Sequence, residues 1–180
     1  MAVNTAKVER LVWDYFKKKG LSTRAVAGLM GNIKAESGFR TNNLQDSFSY
    51  LGSDAAYTKK VDNATYKNFV HDGAGYGLCQ WTYHTRKQGL LNLAKKKKVS
   101  IANPDIQVEY LYQELKSIFK DSVWAKLKKT KSVREATIIV MKNFENPKDQ
   151  SEIQINKRYH YAMTLYNKYT KEDEAAKTKK

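Results

Sequence analysis

A chain of 180 residues can bury a real core within one domain, and 41% hydrophobic and 12% aromatic residues, with two prolines and nine glycines, exclude a disordered or fibrous sequence. Lysine and arginine outnumber aspartate and glutamate by 33 to 18, and the resulting charge of +15 predicts attraction to polyanions: nucleic acid, an acidic membrane, or a cell wall carrying teichoic acids. The single cysteine, Cys79, excludes an intrachain disulfide and a cysteine metal cluster.

The first helix is predicted over residues 4–19, where Val8, Leu11, Val12, Tyr15 and Phe16 recur at helical spacing before Gly20 offers a stop. This amphipathic start is not the uninterrupted apolar run of a signal peptide or membrane span, so neither is expected. Ser22 or Thr23 can cap a second helix carrying Val26, Leu29, Met30 and Ile33 up to Gly38. Gly28 and Gly31 inside it suggest a closely packed neighbour, since each costs roughly 1 kcal/mol in helix propensity. From 40 to 76 the pattern dissolves into Asn, Asp, Ser, Gly and Tyr, with brief helical possibilities at 54–60 and 63–70; so long an irregular stretch in a compact domain is often functional.

Thr85 to Gln88 has capping-box spacing and opens a helix through Leu90, Leu91, Leu93 and Ala94 into lysines 95–98. Asn103-Pro104-Asp105 begins another, carrying Val108, Leu111, Tyr112, Leu115, Ile118 and Phe119, and a short helix follows around Val123, Trp124 and Leu127. Ser132 to Glu135 forms a second capping box before Ala136, Ile139, Val140 and Phe144. The last helix, roughly 150–170, presents Tyr159, Ala162, Met163, Tyr166 and Tyr169. With no repeat, no linker and hardly any alternating pattern, the fold class is mostly α with little or no sheet. Residues 1–170 read as one domain and 171–180 as a charged flexible tail.

Glu36 is the informative acid. It falls three residues after Ile33, on the apolar side of its helix and near the end, where partial desolvation would favour the protonated form. Such a carboxyl can protonate the leaving oxygen of a glycosidic bond. An ordinary, partly exposed residue at a helix end would look the same from sequence. Asp72 to Thr82 packs three glycines with Tyr76, Gln80 and Trp81, a mixture of close backbone approach, flat faces and an amide that sugar sites use, and that a buried turn also uses. His71, His84 and His160 show no metal-ligand spacing, so no metal or cofactor is expected. Cys79, amid apolar neighbours, reads as a core thiol. The lysine runs at 17–19, 95–98 and 128–129 are solvated faces that together would hold the protein on an anionic wall.

The run from Met30 through Glu36-Ser37-Gly38 to Phe39, then Tyr76-Gly77-Leu78-Cys79-Gln80-Trp81-Thr82, Arg86, Asn143 to Pro147 and Arg158, resembles the phage tail lysozyme family of peptidoglycan hydrolases over about residues 7–168. The paired motifs also resemble reduced forms of those in goose-type lysozymes and lytic transglycosylases, with Cys79 where methionine is usual. The resemblance implies a lysozyme-like helical domain that cuts the β-1,4 bond between N-acetylmuramic acid and N-acetylglucosamine. Glu36 matches the catalytic glutamate, and Ser37, Tyr76, Gln80 and Trp81 match groove positions. Phe144 and Glu145 fall where related enzymes place an aromatic segment near the acid, although the tyrosine–asparagine pair of the transglycosylases is not reproduced.

A second carboxylate is sought among Asp46, Asp54, Asp62 and Asp72 in the irregular segment, and Asp46 is chosen for its closeness in chain to Glu36. The expected partners are peptidoglycan glycan strands and the anionic wall, met as a monomer, without specific nucleic acid or a membrane span. Synthesis in a bacterial host cytoplasm is expected to precede action on the wall, at phage lysis or from a virion tail. The alternatives are a lytic transglycosylase leaving anhydromuramic ends, and a basic non-catalytic wall- or nucleic-acid-binding module, for which no helix-turn-helix, zinc-finger or aromatic RNA-binding signature speaks.

Overall fold

The computed structural model describes residues 4–178, and among them the regular structure is helical, with no strand. The mostly α class expected from the sequence is what the chain adopts. Eight α-helices are α1 (Thr5–Lys18), α2 (Thr23–Ser37), α3 (Asp54–Asp62), α4 (His84–Lys97), α5 (Pro104–Lys116), α6 (Ala125–Lys129), α7 (Val133–Val140) and α8 (Glu152–Lys177). A 3-10 segment, Asp46–Leu51, precedes α3, and π-helical turns at Lys120–Trp124 and Met141–Glu145 lead into α6 and out of α7. Two isolated antiparallel bridges, Leu44 with Tyr76 and Tyr76 with Trp81, are the only extended pairing among the described residues. No helix there is long and apolar enough to cross a membrane.

Most helix ends follow the sequence signals. The Ser22 hydroxyl accepts from Ala25 N at 3.2 Å, Asn103 Oδ1 accepts from Asp105 N and Ile106 N, and Ser132 Oγ accepts from Glu135 N. Gly20, at φ +85°, closes α1 with Leu21 N donating to Phe16 O. The box proposed at Thr85 does not form, because α4 begins at His84, two residues before a helix capped by Thr85 would, with Tyr83 as an N-cap that makes no side-chain bond. The expected helical turn at 63–70 is a series of turns instead, opened by Ala64 at φ +57°.

By its contacts the stretch read as one domain groups into two compact units, one made of Met1–Val8 with Glu36–Gln113 and the other of Glu9–Ala35 with Glu114–Lys180. In the first, Tyr57, Phe69, Tyr76, Leu78, Trp81 and Leu90 are buried. Here α4 and α5 approach so closely that a Cβ on Gly89 would lie 2.3 Å from the Tyr110 hydroxyl, which donates to Arg86 O.

In the second unit the glycines of α2 do what their placement suggested. A Cβ on Gly28 would lie 2.4 Å from Ala136 Cβ of α7, and one on Gly31 would lie 2.5 Å from Arg158 O of α8. Asn32, fully buried between them, donates to Gly28 O and Thr137 O and accepts from Arg158 Nη1. Helix α8 does not stop near 170. It continues to Lys177 because Asp173 is bound by Lys17, by Arg10 at 3.0 Å and by Trp13 Nε1 at 3.0 Å, which ties its last turns to α1.

Candidate active site

The site is assembled within the first unit from the end of α2, the irregular segment and the glycine-rich turn. Glu36 sits in the last turn of α2, half-buried. Beyond it the chain reverses sharply: Gly38 and Phe39 both take left-handed conformations, at φ +60° and +66°, and Arg40 N donates to Ser37 O. A bulky residue is rare there, and complete burial of the Phe39 ring offsets the strain.

The turn Tyr76–Trp81 is built from backbone bonds and two amide side chains. Tyr76 and Trp81 exchange both N–H···O bonds, at 3.1 and 2.9 Å. Gln80 is a non-glycine residue at φ +46°, and its Nε2 donates to Asn43 O at 3.0 Å and Gly77 O at 3.2 Å, fastening the irregular segment to the turn. Gln45 does the same from the irregular segment, its Oε1 accepting from Gly75 N while its backbone N donates to Gly75 O. Ser37 Oγ donates to Leu78 O at 2.8 Å, which joins the residue beside Glu36 to this turn.

Gln107 of α5, fully buried, is the central bracket. It donates through Nε2 to Thr41 O and Ile101 O, both at 2.7 Å, and accepts from Leu78 N at 2.8 Å. The sequence reading missed it, and with its partners 66, 29 and 6 residues away it left no local signal.

Beside these ties lies an open cavity of about 350 Å³ lined by Glu36, Arg40, Asn43, Gln45, Asp46, Ser47 and Gln80. The two carboxylates nominated from sequence therefore share one cavity with the glutamine of the second motif. The other three aspartates have separate tasks. Asp54 pairs with Arg40 and accepts from Leu44 N; Asp62 accepts from Ile101 N; Asp72 is buried with Lys87 at 2.6 Å and also accepts from Tyr57 at 2.5 Å, Tyr66 at 3.2 Å and Ala74 N. Burial lowers the Lys87 ammonium against the pull of Asp72, and burial followed by hydrogen bonding to Asp72 raises the Tyr57 phenol. Asp46 is exposed on the 3-10 segment, and no hydrogen bond or ion pair engages its carboxylate among the described residues.

Three of the proposed groove residues take a different place. Ser37 is buried in its bond to Leu78, and the Tyr76 and Trp81 rings are fully covered. Tyr76 shares a hydrogen bond with Thr58, and Trp81 packs on Tyr110 with centroids 5.4 Å apart, so these two shape the turn from beneath. Phe144 and Glu145 belong to the second unit, in the π-helical turn after α7, where Phe144 is buried edge-on against Phe119. Cys79 is buried in the turn. His71 and His84 stack at 5.9 Å, and among the described residues no cluster of three potential metal-ligating side chains forms.

A search among curated proteins finds no match to the chain. The family model for phage tail lysozyme matches residues 7–169, which takes in both motifs, the whole cavity lining and the brackets behind it. The chain belongs to the phage tail lysozyme family, whose members are peptidoglycan-cleaving enzymes acting on the bacterial cell wall.

Proposed function

We propose that the protein is a muramidase that cuts the β-1,4 bond between N-acetylmuramic acid and N-acetylglucosamine, with Glu36 as general acid and Asp46 as the second carboxylate. The observation that carries this reading is the shared cavity of Glu36, Asp46 and Gln80, in a segment whose other aspartates are engaged elsewhere. Glu36 would protonate the leaving sugar oxygen as the bond breaks, and Asp46 would stabilise the positive charge developing at the anomeric carbon or activate water. Asn43 adds to this reading: its Oδ1 is buried without a hydrogen-bond partner among the described residues, an acceptor suited to an acetamido N–H.

Incubation with purified wall sacculi tests the proposal. Reducing sugar ends should accumulate, and Glu36→Gln should slow their release by roughly 100-fold or more, with circular dichroism unchanged. Undiminished release in that variant would end the reading. Mass spectrometry of the products separates hydrolysis from transglycosylation, because anhydromuramic ends are lighter by one water. Asp46→Asn is expected to slow hydrolysis strongly, and full activity in it would leave Glu36 working without a second acid. We further infer synthesis in the bacterial host, with delivery either at lysis or in the virion; immunodetection in purified virions distinguishes the two.

A further inference from the structure

The first unit contains a larger cavity than the one holding Glu36. It measures about 530 Å³, with Leu91, Val99 and Ile101 and the lysines Lys67, Lys95 and Lys98 among its lining. Val99 keeps 40% of its surface open there, so apolar area faces solvent beside three ammonium groups. Such a site suits a small anion with apolar substituents.

Helix α3 links it to the active-site cavity. At the N-terminal end of α3, Asp54 is paired with Arg40, which lines the cavity of Glu36. At the C-terminal end, Val61 and Asp62 line the larger cavity. The eight-residue rise between Asp54 and Asp62 corresponds to about 12 Å. Between the two ends lies a third depression of about 290 Å³, lined along one face of α3 by Ala55, Thr58, Lys59 and Asp62 and begun by Asn42, the neighbour of Asn43. Asp62 is common to this depression and the larger cavity.

We propose that the depression along α3 and the lysine-rimmed cavity hold the peptide stem of peptidoglycan, making this a recognition site for stem-bearing strands. The inference rests on the reading that the Glu36 cavity receives the glycan backbone. An extended pentapeptide spans about 17 Å, longer than the distance of about 12 Å from one end of α3 to the other. Its alanine methyls match the apolar lining, its terminal carboxylate matches Lys95 and Lys98, and the cationic side chain of its diamino residue matches Asp62. A glycerol phosphate polymer would satisfy the lysines but has nothing apolar to cover Leu91, Val99 and Ile101.

Isothermal titration of the full chain with N-acetylglucosaminyl-N-acetylmuramyl-pentapeptide, and with the same disaccharide lacking the peptide, tests this. Neither ligand contains the bond a muramidase cuts, so the outcome is independent of the role of Glu36. The peptide-bearing ligand should bind about tenfold tighter, a difference of about 1.4 kcal/mol. Lys95→Ala/Lys98→Ala, at two exposed positions, should remove that difference while leaving the peptide-free affinity unchanged. Equal affinities in the wild type, an undiminished gap in the variant, or equal weakening of both ligands would overturn the proposal. So would lysine-dependent binding of poly(glycerol phosphate) by a protein that gains nothing from the peptide.

Discussion

Replacing Gln107 by leucine would remove a bracket rather than fill a hole, since the two side chains are close in volume. Three buried backbone groups lose their partner: Leu78 N, Thr41 O and Ile101 O. A buried N–H left unpaired costs about 1–3 kcal/mol. Carbonyls, with two lone pairs, tolerate the loss better, and about 0.5–1 kcal/mol each is a fair allowance. The gain from burying an apolar side chain in place of an amide offsets part of this, about 1 kcal/mol. A net loss of about 1–4 kcal/mol is therefore expected, read as a lower urea midpoint with the slope unchanged. Because the bracket joins the chain at Thr41 and Leu78, which flank the cavity lining in sequence, activity should also fall under conditions where the variant is fully folded. A midpoint within 0.5 kcal/mol of wild type would refute the argument, showing that these backbone groups find water or one another once the amide is gone.

Gly77→Ala should be destabilising by about 2–4 kcal/mol by chemical denaturation, because the residue sits at φ +74° and a Cβ there would lie 2.8 Å from the Gln107 amide. Gly28→Ala should cost a similar amount, its Cβ meeting the Ala136 side chain and the backbone of α7 at 2.4–2.8 Å; a variant as stable as wild type would mean that α7 can move aside freely. Asp173→Ala should leave the midpoint of unfolding little changed but speed amide hydrogen exchange in the last two turns of α8, where Arg10, Trp13 and Lys17 now hold the carboxylate. Above pH 10 stability should fall: Tyr57 and Tyr76, fully covered, hold their phenol protons in the folded state at pH values where the unfolded chain releases them, a slope of about 1.4 kcal/mol per pH unit for each. Lys87, lowered by burial, has the opposite sign in the window below its ordinary value, so thermal melts should steepen only past that point, and Tyr57→Phe should shallow the fall.

Helices were legible wherever one face alone had to be buried. In α1 the spacing of Val8, Val12 and Phe16 is enough, and all three are covered; in α7 the Ser132 cap and the run from Ala136 to Val140 left little choice. The glycines of α2 were readable for the same reason, since a helix tolerates their propensity cost only where something comes close. Where the reading fell short, the controlling contact is remote. Helix α8 outruns its apolar pattern because Asp173 finds α1, an interaction across 156 to 163 residues that no local periodicity contains.

The candidate site divides along the same line. Glu36 and Gln80 could be singled out because their neighbours repeat a family motif, and Asp46 because it is near in chain; what the motif does not say is which way a ring faces. Tyr76 and Trp81 were expected to offer flat surfaces to sugar, but a turn with Gly75 and Gly77 in close approach has no bulk of its own, and these two rings supply the packing beneath it. Exposed aromatic surface lies instead at Tyr50, 77% open at the end of the segment that carries Asp46, and at Tyr83, 62% open three residues after Gln80. In this unit the amides Gln45, Gln80 and Gln107 hold backbone to backbone, the buried rings fill the space under the turn, and the carboxylates Glu36 and Asp46 line the cavity. Polar residues that fasten the turn and polar residues that line the cavity are the same types in the sequence; they separate only when their partners are known.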